Sequence, residues 1–289
     1  MTFDAFLETA WKDHGDRPEE VADRLTGALH LVRDPDNIPP FARLVTHVFG
    51  EHLGQWHRGI ELLESLRGLP ACDGSAAVLG PLARSIAALR YASGDSAALQ
   101  SVSPDDRAAV LATAAAAFTG RNEHKKAIAA YAAARELADA GLPAGSPAIR
   151  ALAIAGNNLA AALEEKKERD GVETQGMIAA ARGGLQYWKL AGTWLEEERA
   201  EYRLTRSLLK AGQAEAATHS AERCIEICKQ NNAPAFEQFF GYAVLALAQR
   251  AAGDASAFEA SRCTALSFFE QVPPEEKSWC ESELKDLGG

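Results

Sequence analysis

Apolar side chains recur at helical spacing from the beginning of the chain. At the N-terminus a stripe with intervals of three and four residues predicts a helix over residues 3–14. Pro18 stands where proline opens a second helix. That helix ends before Pro35, because the residue before a proline avoids helical geometry. Comparable stripes follow along the rest of the chain, so the pattern predicts an all-α protein.

The predicted helices come in pairs with a regular register. Glycines occupy comparable turns at Gly54, Gly94, Gly212 and Gly253. Gly54 and Gly94 are 40 residues apart, and Gly212 and Gly253 are 41 apart. A fixed period in this range, with two helices in each period, is typical of a solenoid built from helical hairpins.

Small and large residues also alternate in a fixed order within these hairpins. Small residues at a crossing point let two helix backbones approach closely, and large residues fill the remaining space. One hairpin carries this order at Ala115, Phe118, Asn122, Ala127, Tyr131 and Ala134. A second carries it at Thr205, Leu208, Gly212, Ala217, Ala221 and Cys224. A third has the matching turn and second helix at Gly54, Gly59, Leu63, Leu66 and Pro70.

These positions resemble the tetratricopeptide repeat (TPR) family over residues 40–270. One unit, with the pair Asn157-Asn158, resembles the repeats of kinesin light chains. The resemblance implies a right-handed superhelical solenoid of antiparallel helical hairpins. We expect an N-terminal hairpin packed on the array (1–37), the TPR-like repeats (38–271), and a C-terminal capping helix and tail (272–289).

Two charged segments are predicted to face solvent. Residues 164–170 extend a helix into water, and the acids of the capping helix, Glu283 among them, form the polar outer face of the array.

The overall charge of −10 argues against a general nucleic-acid or membrane-surface binder. No apolar run is long enough to span a bilayer, and the acidic N-terminus is unlike a secretory signal. The five cysteines are odd in number and scattered, which predicts reduced thiols in a cytoplasmic protein.

The TPR resemblance implies a non-catalytic scaffold that binds a protein or peptide in its concave groove. Asparagine can pair with a peptide backbone, and arginine can bind an acidic group through two hydrogen bonds. The spacing of Arg199, Tyr202 and Arg206 independently places them on one helical face. Laying the family pattern on this chain nominates as partner-binding residues Asn157, Arg199, Tyr202, Arg206, Lys210 and Arg250.

Two alternatives remain open at this stage. The arginines could instead pair with Glu196, Glu198 or Glu201 on a solvated helix face. The protein could also be a regulatory sensor whose superhelix changes pitch when a small peptide or anionic ligand binds.

No phosphate loop, dinucleotide fingerprint or nucleophile elbow is present, so we expect neither catalysis nor a cofactor. Cys224 and Cys228 lie one turn apart near His219, but zinc sites favour closer cysteine pairs, and buried packing thiols are the preferred interpretation. His47 shares a face with Glu51, and His52 flanks a predicted turn. We expect no metal site among the histidines.

Overall fold

The computed structural model describes residues 1–288, which fold into α-helices, one π-helix and several short 3-10 turns, with no strand among them. The π-helix spans Thr46–Leu53. The α-helices are α1 (Phe3–Asp13), α2 (Pro18–Gly27), α3 (Ile38–Val45), α4 (Trp56–Ser65), α5 (Ala76–Ala92), α6 (Pro104–Gly120), α7 (His124–Asp139), α8 (Pro147–Glu165), α9 (Gly171–Ala191), α10 (Trp194–Lys210), α11 (Ala214–Gln230), α12 (Ala235–Ala251), α13 (Ala255–Phe269) and α14 (Glu281–Asp286).

The chain divides into two compact units, residues 1–155 and residues 156 onward. In the first unit, α1 to α5 and the π-helix enclose one apolar core, in which Phe41, Phe49 and Leu63 are completely buried. Helices α6 and α7 pack as a hairpin within the same unit. The domain bounds at 37/38 and 271/272 stay predictions.

The second unit contains the hairpins α10–α11 and α12–α13, and each helix from α9 to α13 packs on its neighbour in sequence. Its apolar core surrounds the completely buried Phe239 on α12. The short helix α14 returns to α12, and its Leu284 and the following residue Leu287 join this core. Consecutive helices that pack pairwise confirm the predicted all-α fold of helical hairpins.

The predicted packing register is confirmed at the level of side chains. In the α6–α7 hairpin the predicted apolar positions are all at most 5% exposed, namely Ala115, Phe118, Ala127, Tyr131 and Ala134. In the α10–α11 hairpin they are at most 2% exposed, namely Thr205, Leu208, Ala217, Ala221 and Cys224. The turns follow the same rule, since Gly212 has φ 72° and Asn122 has φ 59°, a left-handed conformation that glycine and asparagine adopt most readily.

Sequence signals at the helix ends position α10, which carries most of the nominated residues. Thr193 and Glu196 form a capping box at its N-terminus. The Thr193 side chain accepts a hydrogen bond from the backbone of the first turn, and the Glu196 side chain accepts one from the backbone N–H of Thr193. The left-handed Gly212 then ends the hairpin turn after Lys210. Within residues 1–288, no helix has both the length and the apolar composition required to cross a bilayer.

The prediction that residues 164–170 extend a helix into solvent is wrong in two respects. Helix α8 ends at Glu165, and Glu164 is only 6% exposed. Its carboxylate accepts hydrogen bonds of 2.6 Å from Arg203 Nη1 and from Ser207 Oγ, both on α10. The buried acid therefore ties α8 to α10, because an ion pair satisfied in this way can be held away from water.

Candidate functional site

A cavity of about 450 Å³ in the second unit gathers three of the six nominated residues. We call it the basic cavity; its lining consists of Arg206, Lys210, Arg250, Leu209, Leu247, Ala251 and Asp286. The cations come from the C-terminal turns of α10 and α12 and the one lining carboxylate from α14. Cations at helix C-termini are favoured by the helix dipole, so both helices can hold them there at little cost.

The chain's own C-terminal helix supplies acids to two nominated residues. Glu283 on α14 accepts a hydrogen bond of 2.5 Å from the Tyr202 hydroxyl and lies 3.3 Å from Arg206 Nη1. Arg206 Nη1 is also 3.4 Å from the Asp286 carboxylate. Burial raises the pKa of Tyr202, and its hydroxyl therefore stays a donor to Glu283.

Lys210 and Arg250 are the cations that remain available in the basic cavity. Both are exposed. The Lys210 side chain makes no hydrogen bond or ion pair within residues 1–288. The Arg250 guanidinium lies over the Phe258 ring, 5.2 Å from the ring centroid. Its Nη1 donates a hydrogen bond of 3.0 Å to the Asp286 carbonyl oxygen, so no carboxylate neutralises its charge. An anion entering the cavity would find two cations without a carboxylate partner.

Arg199 lies outside the basic cavity and pairs with an acid of another helix. Its Nη2 atom is 2.5 Å from Oε1 of the buried Glu237 on α12. Beside this pair, Glu198 is 1% exposed and accepts a hydrogen bond of 2.9 Å from the Cys224 thiol. Arg199 therefore connects α10 to α12, in contrast to the alternative of pairing along its own helix.

Asn157 is not brought together with the cations. It lies half-buried on α8, and it is absent from the lining of the basic cavity. The structure therefore groups Arg206, Lys210 and Arg250, places Tyr202 beside them through Glu283, and leaves Asn157 and Arg199 apart from the group.

The prediction that Glu283 faces solvent on the cap is wrong, because the side chain is 6% exposed and holds Tyr202 and Arg206. Its position in a short, charged segment gave no sign of this. The available signal was chemical: a helix face with several cations favours a nearby acid, and the C-terminal segment is rich in acids.

The five cysteines are free thiols, and Cys224 and Cys228 are completely buried. Burial of both side chains agrees with the packing interpretation. Cys224 faces Gly241 on α12, where a Cβ would lie 3.5 Å from its sulfur.

No protein-family model matches the sequence, and no curated protein matches it. The crystal structure of BtubC (BKLC) from P. vanneervenii is similar at 17% sequence identity and a TM-score of 0.47, over 76% of this chain and 92% of that chain. From its own hairpin register and pairwise helix packing, the chain has a TPR-like helical-repeat fold.

Proposed function

We propose that this protein is a non-catalytic scaffold that binds an acidic segment of a protein or peptide partner in the basic cavity. The observation that carries the proposal is that Arg206, Lys210 and Arg250 converge around a cavity of about 450 Å³. Among the lining residues, Asp286 alone carries a carboxylate. Leu209, Leu247 and Ala251 add an apolar wall. Cations beside an apolar surface fit a carboxylate whose neighbouring side chain is aliphatic or aromatic.

The contacts of Asp286 indicate how such a ligand would bind. Its carboxylate meets Arg206 at 3.4 Å, a long contact, and its backbone carbonyl receives the Arg250 hydrogen bond at 3.0 Å. A partner carboxylate seated between Lys210 and Arg250 would form charge-assisted hydrogen bonds, which are stronger than bonds between neutral groups. The cytoplasmic location expected from the free thiols is part of this proposal.

The first test uses the full chain and a random peptide library. Peptides selected by the protein are synthesised with a fluorescent label, each beside a version in which Asp and Glu are replaced by Asn and Gln. Fluorescence anisotropy then gives the Kd of each pair. We expect the acidic version to bind at least about tenfold more tightly, since a charge-assisted hydrogen bond contributes about 1.5–3 kcal/mol.

Two variants localise the binding. Lys210→Ala with Arg250→Ala removes the two cations that have no carboxylate partner. We expect this double variant to weaken the binding of acidic peptides by about tenfold or more. Lys167→Ala with Arg223→Ala removes equal charge outside the cavity, from one exposed and one half-buried residue, and should leave Kd unchanged. Equal weakening by the two double variants, or no preference for acidic peptides, would show the proposal to be wrong.

Arg206 and Tyr202 are poor positions for this test. Replacing either would remove one of the two donors that the buried Glu283 has, which lowers stability whether or not a ligand binds there. The regulatory sensor stays a second hypothesis. It predicts a ligand-dependent compaction of the whole chain in solution scattering, which a passive scaffold would not undergo.

A further inference from the structure

Three histidines meet in the first unit, where the sequence predicted no site. His14 follows the last residue of α1, and His47 and His52 lie on the π-helix. One nitrogen from each ring can be chosen so that the three atoms lie within 4.8 Å of one another. The rings are packed together, with centroids 4.8 Å apart for His14 and His47 and for His47 and His52. We call these residues the histidine cluster.

Hydrogen bonds fix which nitrogen of two rings faces the others. His14 Nδ1 is 2.5 Å from the Trp11 carbonyl oxygen, which can only accept, so Nδ1 carries the proton and Nε2 keeps a lone pair. His47 Nδ1 is 2.9 Å from a Glu51 carboxylate oxygen and is held in the same way. His47 Nε2 then lies 3.1 Å from His52 Nε2.

This is the arrangement that metal-ligating histidines have in proteins. One ring nitrogen binds the ion, while the other donates to a carboxylate or a backbone carbonyl that holds the ring in place. Both kinds of partner are present here, on His47 and His14 respectively.

We propose that the histidine cluster binds one divalent transition-metal ion of the zinc class through three imidazole nitrogens. In a tetrahedral site with Zn–N bonds of about 2.0–2.1 Å, ligand nitrogens lie about 3.3 Å apart. The observed 3.1 Å between His47 and His52 already matches this spacing. The wider separations within the cluster need only small ring rotations, because all lie within 4.8 Å.

Three protein ligands leave a fourth position of the ion for water or another small ligand. The surroundings are mixed in charge: the Glu51 carboxylate supports His47, and the Arg121 guanidinium donates to the His52 carbonyl oxygen. The Trp11 ring lies beside the cluster, with its centroid 5.2 Å from that of His47. The site joins α1 to the π-helix, so an ion there would hold the N-terminal helix to the body of the unit.

The test uses the full chain, freed of any polyhistidine tag and stripped of metal with a chelator. Co²⁺ is titrated first, because its visible absorption bands report tetrahedral coordination, and Zn²⁺ is then used to displace it. We expect one ion per chain, and quenching of Trp11 fluorescence by Co²⁺ that the Trp11→Phe variant lacks. Thiolate charge-transfer bands in the near ultraviolet would place the ion on a cysteine and overturn the proposal.

Substitutions then assign the ligands. His14→Gln and His52→Gln should each weaken binding by about tenfold or more, and Glu51→Gln, which removes the support of His47, by about tenfold. His57→Gln changes an exposed histidine on α4 outside the cluster and serves as the matched control. Wild-type affinity in His14→Gln, or equal loss in His57→Gln, would refute the assignment.

A stability measurement guards against variants that bind no metal because they fail to fold. His14 ends a helix and is not fully buried, so His14→Gln should retain the melting temperature of the metal-free wild type. With Zn²⁺ at about 100 times its Kd, the ratio of folded to unfolded wild-type protein should rise about 100-fold. The same addition should leave His14→Gln unchanged, and an equal rise in both proteins would count against the site.

Discussion

At the scale of single residues, the buried carboxylates of α10 and its neighbours organise the second unit. Glu198, Glu164 and Glu237 are all at most 6% exposed, and each meets a named donor. Burying a charge without such a partner would cost several kcal/mol. These acids therefore set which helices can pack side by side.

Glu198 carries the clearest pH dependence. Burial raises the pKa of Glu198 to about 8 from its ordinary value of 4.5; the Cys224 hydrogen bond opposes this shift and the Glu237 charge adds to it. Between pH 4.5 and 8 the folded state keeps a proton that the unfolded state has lost. The free energy of unfolding therefore falls as pH rises through this window, by up to about 1.4 kcal/mol per pH unit from this group.

Glu198→Gln removes the titrating group and should flatten that part of the curve. We expect the wild type to lose stability relative to the variant between pH 5 and 8, measured by urea unfolding at each pH. Glu226→Gln, an exposed acid on α11, is the control and should leave the slope unchanged. Parallel curves for wild type and Glu198→Gln would show that Glu198 is already ionised in the folded protein.

The sequence predicted the cations of this region better than their partners. Arg199, Tyr202 and Arg206 share a face because helical spacing alone determines it. Their acids lie on α12 and α14, far along the chain, and no periodic pattern encodes such a pairing. Glu283 and Glu164 were therefore predicted to face solvent, as glutamate usually does, although each is buried against a specific donor.

At the scale of elements, the contact of α6 with the π-helix depends on the absence of a side chain. A Cβ at Gly120 would lie 2.5 Å from the Glu51 carbonyl oxygen and 3.0 Å from the carbonyl carbon. Both atoms belong to backbone and cannot rotate away. The last turn of α6 can approach the π-helix only because residue 120 is glycine.

Gly120→Ala should therefore lower the free energy of unfolding by about 1–3 kcal/mol, the usual cost of overpacking. Gly27→Ala is the matched control, since Gly27 ends α2 in the same unit and no atom lies within 4 Å of its added Cβ. That variant should be neutral or more stable by up to about 1 kcal/mol, because alanine is the better helix former. Chemical denaturation compares the two, and equal effects would contradict the close-approach explanation.

The hairpins could be predicted from the sequence, whereas the π-helix could not. The turn glycines and the order of small and large residues placed the α6–α7 and α10–α11 hairpins correctly, because those features follow directly from how two helices pack. In an α-helix, residues five apart point about 140° away from each other. Helical spacing therefore offers no reason to place His47 beside His52, and it is the i→i+5 bonding of the π-helix that brings them together.

At the scale of the whole molecule, the charge of −10 and the basic cavity act over different distances. In about 0.1 M salt, charges more than about 10 Å apart are largely screened. An anionic segment close to Arg206, Lys210 and Arg250 is therefore governed by those cations rather than by the overall charge. An acidic protein can thus bind an acidic partner without becoming a general binder of polyanions.

The two proposed sites should act independently. The histidine cluster and the basic cavity share no residue and no helix, and repeat proteins are stabilised by interactions between neighbouring elements. We expect saturating Zn²⁺ to change the Kd of an acidic peptide by no more than about twofold. Anisotropy titrations with and without Zn²⁺ measure this, and a tenfold change in wild type but not in His14→Gln would show coupling.

The π-helix Thr46–Leu53 has a consequence for how this chain tolerates changes in length. Each of its turns holds about one residue more than an α-helical turn, so the segment amounts to a one-residue insertion absorbed inside a helix. Removing one residue between His47 and His52 would restore α-helical bonding at little local cost. It would also leave the two histidines four residues apart, the spacing that keeps two side chains on one face of an α-helix, so the pair should survive a deletion that removes the π-helix.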